Sequence, residues 1–175
     1  PRAAPRHAAR ARSRGAHSAP IRYHPPSPSG GGIPVTAVLD EAAIVAHVRM
    51  RYPNAQGVYL FGSFADGTAR ERSDVDIALL LDPVEAAANP ANLWGTDLHQ
   101  DLTVRLHRDV DLLNLRRLPT VLQKQVVCTG RRIHTADPFV ADLFDVTILS
   151  RWQKLNDERA AILEAFEQTG RAWAS

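Results

Sequence analysis

Two apolar runs, residues 58–61 ("VYLF") and 77–81 ("IALLL"), are continuous rather than alternating, which is the pattern of strands covered on both faces. The second run is entered through Asp74-Val75-Asp76, so a chain that buries it must bring two carboxylates to the rim of its core. Burying an ionised carboxylate is costly unless something compensates it. Residues i and i+2 of a strand point to one face, so Asp74 and Asp76 stand side by side, where their charges oppose each other unless a cation sits between them. The runs predict central strands of a sheet, and the acidic pair predicts a metal at one end of it.

Helices are expected around that sheet. Residues 40–51 ("DEAAIVAHVRMR") read as a helix opened by an Asp and a Glu and stopped by Pro53. Residues 84–92 read as a loop, and 93–108 as a helix weakened at its start by Gly95. "VDLLNL" (110–115) predicts a third strand, "PTVLQKQVVCTG" (119–130) a helix with a leading proline and trailing glycine, and "RRIH" (131–134) a short edge strand. Asp137-Pro138 opens a helical stretch that runs to about Thr169. The order gives an α/β layer, a small sheet with helices packed on it. The last stretch carries more apolar residues, from Phe139 to Phe166, than one narrow stripe needs. It either belongs wholly to the core or covers the sheet and also offers a face to a partner. Trp94, Trp152 and Trp173 are expected as packing anchors, Trp173 at a frayed end.

A sequence pI of about 9.1 would suit a nucleic-acid binder, but the charge is segregated. Arg2, Arg6, Arg10, Arg12, Arg14 and Arg22 precede every acid; subtracting these six from the 21 Lys and Arg leaves 15 against 19 Asp and Glu, a formal charge of −4. No nucleic acid is expected on the folded part. Residues 1–35 are rich in Pro, Gly, Ser, Ala and Arg and offer almost nothing to bury, which predicts disorder. Their arginines fit an electrostatic nucleic-acid tail or an organelle leader, although the prolines and glycines break the amphipathic helix a leader needs. The only methionine, Met50, lies within the first helix, so the native protein is expected to start near Val35 from a non-standard codon, leaving the basic tail outside it. The units expected are then 36–137, carrying the chemistry, and 138–175, a helical segment packing on it or on a partner. No apolar run nears the roughly 20 residues that span a bilayer. The single cysteine, Cys128, excludes an internal disulfide and fits a reducing cytoplasm, and its apolar neighbours predict a buried thiol.

Gly62-Ser63 ends the first apolar run, ten residues before the acidic pair. Glycine lets a backbone approach a phosphate closely, and a serine hydroxyl with nearby N–H groups can hold phosphate oxygens. Paired hard oxygen ligands suit Mg2+, which is commonly held by one or two carboxylates together with substrate phosphates. Two-metal transfer asks for another carboxylate near the attacking oxygen. Asp109 and Asp111 share a strand face; Asp111, inside the apolar run, is preferred, and Asp109 is expected in solvent. Singly these residues are common, but G-S-x10-D-x-D between buried strands, with a later Asp-bearing strand, points to nucleotidyl transfer. The histidines give no metal pattern: His99 and His107 are too far apart on a helix, and His134 is expected at the surface.

Residues 60–81, "LFGSFADGTARERSDVDIALLL", are similar to the signature of the nucleotidyltransferase superfamily that includes DNA polymerase β. Together with "RDVDLLNLRRLPTVLQKQVVCTGRRIHTADP", they resemble the minimal nucleotidyltransferases of the MntA family over most of residues 40–150. The resemblance implies the polymerase β-like fold, a small mixed β-sheet with flanking helices, followed by a long C-terminal helix. It implies an antitoxin paired with a HEPN-domain ribonuclease toxin, transferring AMP from ATP to a tyrosine of that toxin. Carried over residue by residue, Gly62 and Ser63 match the phosphate-binding pair, Asp74 and Asp76 the metal-binding pair, and Asp111 the third carboxylate. Gly67, Arg70 and Ser73 also agree with the pattern, with Arg70 and Ser73 expected at the nucleotide. Two positions depart from it: Asp66 stands where a basic residue is common and Asn114 where many relatives carry an acid, which bears on substrate affinity.

On this reading Mg2+ held by Asp74 and Asp76 binds the triphosphate of ATP, while Gly62 and Ser63 hold its β and γ phosphates. Asp111 assists a second metal and accepts the proton of the attacking tyrosine. Two other readings stay open. One is adenylation of a small molecule such as an aminoglycoside, for which the chain leaves little substrate-binding domain. The other is an antitoxin that neutralises its toxin by binding alone.

Overall fold

The computed structural model describes residues 39–169; the basic tail and Trp173 lie outside them. Helix α1 (Glu41–Arg51) is capped by Asp40, whose carboxylate accepts from the Ala43 N–H. Strand β1 (Gly57–Phe61) passes through one helical turn, α2 (Ser63–Asp66), and a loop into β2 (Val75–Leu80). There follow α3 (Pro83–Ala88), α4 (Asp97–Leu106), β3 (Val110–Asn114), α5 (Thr120–Thr129), β4 (Arg131–Thr135) and the long α6 (Pro138–Thr169).

The strands lie in the order β3-β2-β1-β4. β1 is antiparallel to β2 and β4, while β2 runs parallel to β3, so the sheet is mixed and the two continuous apolar runs take its centre. Val58, Leu60, Ile77, Leu79 and Leu112 face Ile44 and Val48 of α1 and Leu98 and Leu102 of α4. The alternate residues Tyr59, Phe61, Ala78, Leu80 and Leu113 face Val126 of α5 and Ala141, Phe144 and Ile148 of α6. Each central strand feeds two cores, which is why neither run alternates. Truncating a side chain such as Ile77 to Ala would cost about 2–5 kcal/mol.

Several expectations are corrected. Residues 83–88 form helix α3 rather than a loop: Pro83 takes the first helical position and Asp82 accepts from the N–H groups of Val84 and Glu85. That start signal outweighs Asn89-Pro90, which only ends the helix. α4 begins at Asp97 behind a Thr96 cap, so Leu93 and Trp94 precede it, and Trp94 is 70% exposed, not an anchor. Cys128 is exposed, because α5 turns Gln123 and Val126 inward instead. His134 keeps partial exposure on the edge strand β4, and its partial burial, with the Arg49 charge, lowers its imidazole pKa.

Only the first half of α6 meets the sheet. Leu143, Val146, Leu155, Leu163 and Phe166 remain exposed, so the helix covers a core and keeps further apolar surface. Trp152 is half-buried, with the Lys124 ammonium 5.8 Å from its ring centre. No helix among the described residues is long and apolar enough to cross a membrane.

Candidate active site

Strand register brings the acids together. Phe61 pairs with Asp76 across β1 and β2, and Asp76 with Asp111 across β2 and β3. Asp76 therefore lies between the end of β1 and Asp111, on the sheet face that carries Ala78 and Leu80. Asp74 sits just before β2, exposed, while Asp76 and Asp111 are partly buried. Burial is the main cause that pushes the Asp76 carboxyl up to about 7, and the charges of Asp111 and Asp74 add to it.

Gly62 explains how β1 ends. Its backbone is left-handed in φ (62°), and a Cβ there would lie 2.2 Å from Oδ2 of Asp76, so only glycine fits. Its carbonyl accepts from the N–H groups of Ala65 and Asp66 at 3.0 and 3.2 Å. No side chain caps α2, so the first N–H groups of that turn, beginning at Ser63, are left for solvent or a ligand. Asp66 closes the turn: its Oδ1 accepts from the Thr68 N–H at 2.9 Å and hydroxyl at 2.6 Å, next to Gly67 at φ 77°. The acid at this departing position thus has a local structural partner.

The loop between α2 and β2 delivers Asp74. Within it the Arg70 N–H donates to Oγ of Ser73 at 2.8 Å and the Ser73 N–H donates to the Arg70 carbonyl at 3.0 Å. Ser73 thereby shapes the turn that precedes Asp74, while Arg70 is exposed on the same loop. Asp109 is in solvent as expected, its carbonyl accepting from the Val75 N–H at 2.9 Å. Asn114 lies at the other end of β3, fully buried, with Nδ2 donating to the carbonyls of Ala86 at 3.0 Å and Asn89 at 3.3 Å. An aspartate could not donate those bonds, so Asn114 anchors α3 and stands apart from the acidic group.

Sequence reasoning passed over Arg108. Its guanidinium reaches three carbonyls of the loop and lies 5.4 Å from the Phe64 ring centre. The only signal was an arginine just ahead of the Asp-bearing strand, and nothing in the spacing says that it folds back.

Among the described residues, no three His, Cys, Asp or Glu side chains converge into a ready cage for a metal. None of the ion pairs found there involves Asp74 or Asp76. The acidic group is an open rim of hard oxygen donors. That chemistry fits Mg2+, which keeps water and substrate phosphates among its ligands, and a divalent cation would relieve the repulsion that adds to burial in raising Asp76.

Comparison with known proteins agrees with this geometry. Residues 45–139 match the family model described as polymerase beta, nucleotidyltransferase. The protein adenylyltransferase MntA of Shewanella oneidensis is 39% identical over 126 residues, spanning 72% of this chain and 86% of that protein. A crystal structure of a toxin–antitoxin with AMP-PNP matches with a TM-score of 0.58 at 35% identity, covering 74% of this chain and 99% of the other. A structure of tri-AMPylated Shewanella oneidensis HEPN toxin in complex with MNT antitoxin matches with a TM-score of 0.52 at 33% identity, covering 73% and 95%. The chain belongs to the polymerase β nucleotidyltransferase family and, within it, to the minimal nucleotidyltransferases of the MntA family.

Proposed function

We propose that this protein is the antitoxin of a toxin–antitoxin pair and inactivates a HEPN-domain ribonuclease toxin by transferring AMP from ATP to one of its tyrosines. The observation that carries the proposal is Asp76, a carboxylate set in register with Asp111 and against the backbone of Gly62, and raised towards neutrality by burial and then by both neighbouring acids. The relatives support the same chemistry: one is a protein adenylyltransferase, one solved complex holds AMP-PNP and another a tri-AMPylated HEPN toxin.

Asp74, Asp76 and Asp111 would hold Mg2+, whose bound charge neutralises the triphosphate and assists departure of pyrophosphate. Gly62 lets the backbone reach the β and γ phosphates, and Ser63 offers its hydroxyl and N–H groups to them. Arg70 and Ser73 flank the same opening from the loop. Asp111 accepts the proton of the tyrosine hydroxyl as its oxygen attacks the α phosphorus; the bond to the bridging oxygen breaks and pyrophosphate leaves. The toxin gains bulk and a negative charge, which oppose a polyanionic RNA substrate. In this reading residues 36–137 carry the chemistry, 138–175 add the helical face, and the setting is the cytoplasm.

The apolar residues left exposed along α6 favour a second reading, neutralisation through binding alone. The intact mass of a co-expressed HEPN-domain partner separates the two, measured after incubation with ATP and Mg2+. A shift by whole AMP units with wild-type protein, absent with Asp74→Asn/Asp76→Asn, is expected. A stable complex without any shift leaves binding as the mechanism. No shift and no complex would transfer the search to a small-molecule acceptor.

A further inference from the structure

We propose that Arg108 is a positioning residue for nucleotidyl transfer, holding the Gly62-Ser63 turn and the loop before Asp74 in one fixed relation; the inference rests on the functional reading above. α4 ends at His107, whose left-handed conformation (φ 51°, ψ 39°) turns the chain out of the helix. Arg108 follows directly. One residue later the Asp109 carbonyl accepts from the Val75 N–H, and β3 then runs on to Asp111. The backbone at Arg108 is thus tied to the strand that supplies the third carboxylate.

Its side chain reaches the other two parts of the site. Nη1 lies 3.4 Å from the Arg70 carbonyl and 3.3 Å from the Ser73 carbonyl, and it also meets the carbonyl of Glu71. Nη1 carries two hydrogens, so the three acceptors share them, and all belong to the segment that leads into Asp74. The guanidinium also lies over the ring of Phe64, 5.4 Å from its centre, and Phe64 follows Ser63 in α2. One cation therefore touches the turn on the phosphate side and the loop on the metal side. The loop needs such a tie. Residues 70–72 are exposed and lie outside the strands, and the Arg70–Ser73 turn is one of the loop's internal supports.

Arginine suits this task because its planar fork can donate in its plane and stack on an aromatic face at the same time. Lysine offers one compact ammonium and cannot do both. A displacement of about 1 Å in a catalytic group can lower a rate about 100-fold. Loss of the tie should therefore act on turnover more than on folding.

The experiment compares wild type, Arg108→Ala and Arg108→Lys in three readouts: AMP transfer to the HEPN toxin, affinity for AMP-PNP with Mg2+, and hydrogen exchange of the 64–74 amides. In Arg108→Ala, kcat is expected to fall about 10- to 100-fold, AMP-PNP affinity several-fold, and exchange to quicken within 64–74 while the sheet amides stay protected. Arg108→Lys should recover less than half of the lost turnover on a logarithmic scale. Wild-type kcat and wild-type loop exchange in Arg108→Ala would overturn the proposal. So would a loss of kcat that merely tracks the unfolded fraction. If the wild type transfers nothing to the toxin, the acceptor reading falls, and Arg108 is then decided by nucleotide affinity together with loop exchange. A joint change in Arg108→Ala supports the positioning role, and unchanged values overturn it.

Discussion

Two sets of acids lie on the same face of the sheet and are treated in opposite ways. Asp145 of α6 accepts from the Tyr59 hydroxyl at 2.8 Å, and Arg132 lies 3.8 Å away, pairing also with Asp142 at 2.5 Å. Burial raises the Asp145 carboxyl, while the Tyr59 hydrogen bond and the Arg132 charge pull it back down. Asp76 faces burial and two further negative charges, and all three push the same way. The first set closes on itself and joins β1, β4 and α6. In the second, none of the ion pairs found among the described residues involves Asp74 or Asp76. An acid buried among like charges costs the fold some stability, and a cation bound beside it would offset that cost.

The sharpest way to break the contrast is Asp76→Asn, which keeps the shape and removes the charge. AMP transfer is expected to fall about 1000-fold, the scale of losing a principal electrostatic element of an active site. Metal-free stability should move the other way and rise, because the isolated buried charge is gone. Transfer within tenfold of wild type would make Asp76 an ordinary rim residue. Gly62→Ala comes next. Its methyl group would meet Oδ2 of Asp76 at 2.2 Å on a backbone that disfavours side chains, so turnover should drop about 100-fold and stability by about 1–3 kcal/mol. Parallel kcat and melting measurements check both, and a kcat within threefold of wild type would show that the turn can move aside.

The third prediction concerns pH. The Asp76 carboxyl is raised from an ordinary 3.8 to about 7 in the folded protein. The unfolded chain therefore releases this proton first as pH rises, so the contribution of Asp76 to stability is full below about pH 4 and is lost between about pH 4 and pH 7. Mg2+ favours the ionised form and should offset that loss. Saturating Mg2+ is expected to stabilise the protein by about 1–3 kcal/mol more near pH 8 than near pH 5, and Asp76→Asn should erase the difference. Equal Mg2+ stabilisation at both pH values would argue against a metal at Asp76.

Much of the site is legible in the sequence because strand parity is local. The spacing from Gly62-Ser63 to Asp74 and Asp76, inside runs that cannot alternate, is enough to place a turn and two acids at one strand end. The neighbouring Asp111 follows once a parallel third strand is granted. Features that depend on which helix face meets which core were not legible. Cys128 shares its apolar stretch with Val126, and only the docking of α5 decides that Val126 is buried and Cys128 is not. Trp94 is held at the surface by a turn through Gly95 at φ 78°, which periodicity does not register. Arg108 reaches back to a loop more than 30 residues earlier in the chain, a contact only the tertiary fold creates. Asn114 looks like a lost acid in sequence and proves to be the donor that secures α3.

The smallest expected effect belongs to the set that closes on itself. Tyr59→Phe keeps the ring within its core and removes one hydroxyl. Asp145 retains Arg132 at 3.8 Å, and its side chain is 20% exposed, so water can take part of the place of the lost donor. The cost should be about 1–2 kcal/mol, read as a lower urea midpoint with an unchanged slope. Transfer per folded molecule should stay at the wild-type level, because Tyr59 pairs with Ala78 in the sheet whereas Asp76 is opposite Phe61, about 7 Å further along β1. A fall in turnover at unchanged AMP-PNP affinity would mean that the Tyr59–Asp145–Arg132 group transmits its state to the acids. The two sets would then be one coupled network, and the stability of the fold could not be adjusted at α6 without altering the chemistry at the far end of the strands.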